Sequence, residues 1–169
     1  LISRKKYAKK GRPLSHQVWR NVDTAITSTK KLIKSANKCK KKIHILHITT
    51  AEEIKLLLRN RKYVSFEVTP QHLVLASPDC YKKLGTYAQM NPPIRGTRHR
   101  NILRKTLQKG QIDIIGSDHA PHLKSEKNQT YPNSPSGMPG VQTLLPILLN
   151  EVSKKTISLN EVVKLTSFN

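Results

Sequence analysis

Cysteine is scarce in this sequence: two residues in 169, Cys39 and Cys80, far apart and without CxxC spacing. That excludes a disulfide framework and points to a reducing, cytoplasmic setting. Acidic residues are scarce as well, 10 against 31 Lys and Arg, which leaves a formal charge of +21. Residues 1–42 alone hold 14 basic side chains against a single acid, Asp23. A field of that sign attracts polyanions without regard to sequence. Aromatics, however, number only eight, too few to stack bases, and 22 of the basic residues are scattered lysines. No zinc-finger, RNA-recognition or helix-turn-helix pattern accompanies them. The charge therefore reads as a lysine-rich compositional habit, with no specific nucleic-acid partner expected. Long apolar runs are missing too. None approaches the roughly 20 residues that span a bilayer, and no apolar segment follows the basic start as in a secretory signal. No membrane partner is expected. Leu1, not Met, opens the chain, as in a fragment or a chain with an unusual start.

What is present centres on Ile112 to His122, IDIIGSDHAPH. An apolar, β-branched run stops at Gly116 and Ser117, and Asp118, His119 and His122 follow at once. Parallel strands are covered on both faces and read as near-continuous apolar runs. In α/β folds, ligands bind where the carboxyl ends of such strands meet the loops. A carboxylate placed there, Asp118, can ligate a metal or move a proton. The competing reading makes Asp118 a turn cap and the histidines loop surface.

Residues 1–14, basic and holding Gly11 and Pro13, read as a loop or frayed end. From Ser15, Val18, Trp19, Val22, Ala25, Ile26, Leu32, Ile33 and Ala36 form one stripe at helical spacing. Ile43 to Ile48 reads as a short buried strand, with Ile43, Ile45 and His47 on one face and His44, Leu46 and Ile48 on the other. Thr49 and Thr50, each three residues before a glutamate, predict capping boxes for a helix to about Asn60. Tyr63 to Val68 predicts a second strand closed by Thr69-Pro70. Residues 71–97 read mostly as loop, with a short helix near Asp79 to Leu84 and a stiff MNPPIRG turn presenting Asn91 and Arg95. A helix from Arg98 to Lys109 stops at Gly110, and Ile112 begins the third strand. Residues 119–139 read as a long polar loop of the functional or disordered kind. A helix from Gly140 should kink at Pro146 unless the proline lies near its first turn, and Ser158 with Glu161 caps a last one.

Alternating buried strands and amphipathic helices predict parallel βαβ units, hence an α/β fold. Three strands are too few to close a (β/α)8 barrel. The fold class is thus an incomplete TIM-type barrel, its last three strands and their helices, over residues 15–169, or a small α/β sheet.

Five segments in register carry a family resemblance: HILHITTAEE, EVTPQHL, YAQMNPPIR, GSDHAPH and SPSGMPGVQTLLPILL. In this order and spacing they resemble the carboxyl half of long, type I bacterial dihydroorotase, an amidohydrolase with a metal-dependent (β/α)8 barrel. The resemblance implies reversible ring closure of N-carbamoyl-L-aspartate to dihydroorotate, in pyrimidine biosynthesis. It implies zinc, with His47 and Asp118 as ligands and Asp118 also moving the proton. It implies that Asn91 and His122 hold the substrate by their side chains and Gly137 by its backbone.

The family's His-x-His pair with its following arginine, its bridging carboxylate or carboxylated lysine, and its fifth-strand histidine have no counterpart here. The match begins after the fifth strand, and the family's closing segment is missing after Asn169. Catalytic zinc takes three protein ligands, and two are present. The chain is therefore expected to be inactive alone and to need a complementary amino-terminal fragment. The alternative is a non-catalytic remnant or structural partner of aspartate carbamoyltransferase.

Overall fold

The structure, a computed structural model, describes residues 6–168; the first five residues of the predicted frayed end lie outside them. Three parallel strands form one sheet in the order β1 (Ile43–Ile45), β2 (Val64–Val68), β3 (Ile114–Ile115). Ile43, His44 and Ile45 pair with Val64, Ser65 and Phe66, and Glu67 and Val68 pair with Ile114 and Ile115. Val64, Phe66 and Val68 alternate along β2 and are buried with Ile45, Leu57, Leu103 and Ile115 in the main core. By strand geometry Ser65 and Glu67 face the other way, and that polar face carries the site.

The helices cover the apolar face of the sheet. The residues α1 (His16–Trp19) and α2 (Val22–Cys39) were expected as one helix; the chain breaks between them instead. Arg20 leaves the helical region, and Asn21 begins again as a cap, its Oδ1 accepting from the Thr24 amide at 2.9 Å. The predicted stripe is divided accordingly. Of its members Ile33 and Ala36 are buried, whereas Val18 and Leu32 are exposed; His16 and Thr29, outside the stripe, are buried as well.

The next helix, α3 (Ala51–Leu58), starts at the Thr50–Glu53 capping box. Buried Glu53 also accepts from Thr29 Oγ1 at 2.8 Å, which ties α3 to α2. Thr69-Pro70 does not simply end β2. Thr69 caps α4 (Pro70–Val74), with Pro70 in the first turn, where a missing N–H costs nothing. α5 (Asp79–Leu84) lies where it was predicted, and α6 (Thr97–Gln108) packs on α3 and α4.

Residues 119–139 are more built than a polar loop. They include α7 (Lys124–Lys127) and bury Tyr131, 1% exposed, whose carbonyl accepts from Gly11 N at 2.8 Å. α8 (Val141–Ser153) continues through Pro146, which sits on its exposed side. The Ser158–Glu161 capping box starts α9 (Leu159–Val163), and a π-helical turn follows.

Candidate active site

β1 ends at Ile45, three residues before its predicted end, and this decides where the two histidines of HILH point. A strand continued to Ile48 would set His44 and His47 on opposite faces. Instead the chain turns at His47, whose φ is +55°, and both imidazoles converge on the Glu67 carboxylate. His47 Nδ1 lies 2.7 Å from Glu67 Oε1, and His44 Nε2 lies 3.4 Å from Oε2. His44 Nδ1 meets Ser65 Oγ at 2.8 Å across the strand pair. The other ring nitrogen of His47, Nε2, stands 3.4 Å from Asp118 Oδ1. Asp118 follows β3 and also takes a positive φ, +43°. Non-glycine residues held in this region cost about 1–3 kcal/mol and cluster where geometry serves a site.

The charges reinforce one another. The Glu67 carboxylate beside Nδ1 raises the His47 pKa above its ordinary value against the effect of burial, and Asp118 adds to the rise. Burial pushes the Glu67 carboxyl up, but the His47 and His44 contacts outweigh it and hold the group below the usual range. Asp118 is raised by burial and by Glu67, with His47 offsetting part of the shift.

His122 and Gly137 lie together, apart from this trio. Exposed His122 sits with Nε2 3.3 Å from the Ser136 carbonyl. A Cβ at Gly137, where φ is +156°, would stand 2.5 Å from the Ala120 carbonyl and 2.9 Å from His122 Nε2. The Gly137 amide donates to Gln89 O at 2.9 Å, which joins this turn to the MNPP segment. Asn91, exposed in that segment, meets His16. His119 turns away from Asp118: its Nδ1 accepts from the Gly140 amide, at the start of α8, at 3.1 Å. Arg95, expected to be presented by the turn, is buried and donates to the Arg20 carbonyl.

No family model matches the sequence. A curated dihydroorotase from Methanosarcina mazei is 41% identical over 138 residues, 76% of this chain and 30% of that protein. The dihydroorotase of Methanosphaera stadtmanae is 34% identical over 162 residues, 95% of this chain and 37% of its own length. This chain is dihydroorotase-like. The chain spans only about a third of these dihydroorotases. In fold it superposes on L-hydantoinase from Arthrobacter aurescens with a TM-score of 0.90 at 23% identity, over 97% of this chain and 38% of that one. Dihydropyrimidinase from Brevibacillus agri gives 0.82 at 25% identity, over 92% and 36%. The three-stranded parallel sheet corresponds in fold to part of the TIM barrel of these neighbours. Nothing in these likenesses favours a non-catalytic remnant or an aspartate carbamoyltransferase partner.

The dihydroorotase family is metal-dependent. Among the described residues no group of three or more His, Cys, Asp or Glu side chains has the arrangement of a complete metal site. The chemistry of the donors present fits two ligands of one. Imidazole and carboxylate are both good ligands for a divalent ion, and a metal-bound histidine ordinarily gives its other nitrogen to a carboxylate. Glu67 occupies that second position on His47, leaving Nε2 toward Asp118. Among the described residues no helix is long and apolar enough to cross a membrane.

Sequence reading left Glu67 without a role, although a signal existed. An acidic residue among Val64, Phe66 and Val68 breaks the apolar run expected of a covered parallel strand. Lys127 was also missed. Its buried Nζ donates to the carbonyls of Gln89, Pro135 and Gly137 at 3.0–3.2 Å, pinning the turn that carries Gly137. One lysine among 22 carries no mark of that in sequence.

Proposed function

We propose that this chain supplies the carboxyl-terminal portion of a cytoplasmic dihydroorotase site that interconverts N-carbamoyl-L-aspartate and dihydroorotate. The observation that carries the reading is the approach of His47 Nε2 to Asp118 Oδ1, both on backbone turned to positive φ at strand ends. In this reading His47 and Asp118 are two protein ligands of zinc, and the remaining ligands come from a complementary amino-terminal fragment. Zinc bound there would polarise the amide carbonyl and activate water. Asp118 moves the proton to and from the ring nitrogen, and its raised pKa suits a group that must both take and return one. Glu67 orients His47 and balances its charge. Asn91 and His122 hold the substrate by their side chains, and Gly137 does so by its backbone carbonyl, whose second lone pair is left by the Lys127 bond. Residues 15–169 act as the partial barrel, and residues 1–14 as its basic lead-in.

The test is an assay of the purified chain with zinc and dihydroorotate, alone and mixed with a fragment carrying the preceding strands of a related dihydroorotase. The expected result is turnover only in the mixture, lost with Asp118→Ala. A mixture that assembles without turnover, or turnover indifferent to Asp118→Ala, would overturn the reading.

A further inference from the structure

Beside Asn91 lies a cavity of about 320 Å3, lined in part by His16, Trp19, Arg20, Gln89 and Tyr131. Its wall contains a relay of hydrogen bonds that none of the roles above uses. Trp19 Nε1 donates to Tyr131 Oη at 2.8 Å. The hydroxyl's own proton is then free for His16 Nδ1, 3.4 Å away. Both rings meet His16 edge-to-face, with centroids 5.5 and 5.9 Å from its own. On the far side of the imidazole, Nε2 lies 3.1 Å from the Met90 carbonyl oxygen and 3.0 Å from Asn91 Oδ1.

These contacts determine the tautomer. A backbone carbonyl can only accept, so Nε2 carries the ring proton. Burial lowers the His16 pKa to about 4, so near neutral pH Nδ1 is bare and accepts from Tyr131. A protonated Nε2 in turn demands an acceptor from Asn91. The amide turned the other way would set two donors 3.0 Å apart. We infer that His16 is a positioning residue that holds the Asn91 amide with its NH2 directed away from the ring, so that the ligand group Asn91 meets must bring an acceptor oxygen, carboxylate or carbonyl. The orientation stands on the hydrogen bonds alone; that Asn91 meets a ligand, and the choice of dihydroorotate as probe, rest on the proposed function.

The experiment has two arms, both on the full chain. The first is a long-range proton–nitrogen NMR spectrum with 15N-labelled histidine near pH 7. His16 is expected as the neutral Nε2–H tautomer, with the Nδ1 resonance displaced in Tyr131→Phe. An Nδ1–H tautomer or an imidazolium overturns the inference, and this arm needs no variant at position 16 to fold. The second arm follows dihydroorotate binding by the fluorescence of Trp19, the sole tryptophan. His16→Leu should weaken binding about tenfold, the loss of one oriented hydrogen bond. His16→Gln, which keeps an N–H donor, should restore it to within about threefold on the same scale. Asn91→Asp keeps the acceptor toward His16 but not the outward donor, and should weaken binding at least as much as His16→Leu. Binding indifferent to His16→Leu, or lost equally in His16→Gln, counts against the positioning role. Failure to bind dihydroorotate even when the chain is mixed with the complementary amino-terminal fragment would sink the proposed substrate, while the spectrum would still decide the orientation.

Discussion

Glu67 Oε1 lies 2.7 Å from His47 Nδ1, and that contact turns the imidazole so that its other nitrogen meets Asp118. The approach is short but bent, so it acts as an ion pair more than as an aligned hydrogen bond. Gly116 makes room for it: a Cβ there would stand 2.5 Å from Glu67 Oε1. If the trio binds metal as proposed, Glu67→Gln should weaken zinc binding by about 10–100-fold, the usual effect of losing such an orienting partner. His47→Ala and Asp118→Ala should weaken it further. Calorimetric titration of zinc into the four proteins checks this, and affinity unmoved by all three substitutions would show that the metal sits elsewhere.

Acid should destabilise the fold well above the carboxylate range. Burial lowers the pKa of both His16 and His72 from 6.5 to about 4. His72 is held neutral between Thr69 Oγ1 at 2.7 Å and the Pro92 carbonyl at 3.0 Å. Between pH 6.5 and 4 the unfolded chain therefore takes up protons that the native one refuses. Stability falls with falling pH across that window, by up to about 2.7 kcal/mol per pH unit for two protons. His47 has the opposite sign: its pKa is raised, so its contribution is full below the unfolded value and fades as pH rises through the folded one. Urea melts at pH 7, 6 and 5 should show the acid loss, and His72→Gln should flatten it.

Gly140 should tolerate no side chain. An added Cβ would stand 2.0 Å from the Ser117 carbonyl oxygen, which is backbone and cannot swing aside. Gly140→Ala is expected to cost about 3 kcal/mol, the upper range for forced overpacking. Thermal melting should show a fall of roughly 6–12 °C at about 2–4 °C per kcal/mol.

Lys127→Met should loosen the turn around Gly137 by removing the donor shared by three carbonyls, of which Gln89 keeps the Gly137 amide while Pro135 and Gly137 lose their partner. A loss of about 1–3 kcal/mol is expected from those unmet acceptors. Hydrogen exchange should place the loosening at the Gly137 amide, which bonds Gln89. Unchanged protection there would show that the ammonium pins nothing.

Much of this fold was legible because its signals are local. The alternation of apolar strand and amphipathic helix, the Thr50–Glu53 and Ser158–Glu161 boxes and the stop at Gly110 each lie within a few neighbouring residues. Reading failed where tertiary contacts override periodicity. The pattern of IHILHI runs unbroken to Ile48, yet His47 adopts positive φ in contact with Glu67, about twenty residues on. The stripe through Val18 and Val22 likewise hides a break, because His16 is drawn inward by Asn91 and Tyr131. The residues of the site arrive from separate strand ends, and no spacing along one element records that. Family resemblance singled out His47 and Asp118 but passed over Glu67 between them.

The arrangement of the sheet gives the lysines a different meaning. β1 and β3 each pair with β2 alone among the described strands, so each presents a row of backbone donors and acceptors to any strand that drifts by. Lys40, Lys41 and Lys42 stand directly before β1, all exposed, on a chain of net charge +21. Like charge at that position opposes edge-to-edge pairing of two copies. That protection is only as long as the screening length, which shrinks from about 10 Å at 0.1 M salt to about 3 Å at 1 M. Concentrated salt or a polyanion would screen these three lysines and so remove the repulsion that they set up at the β1 edge.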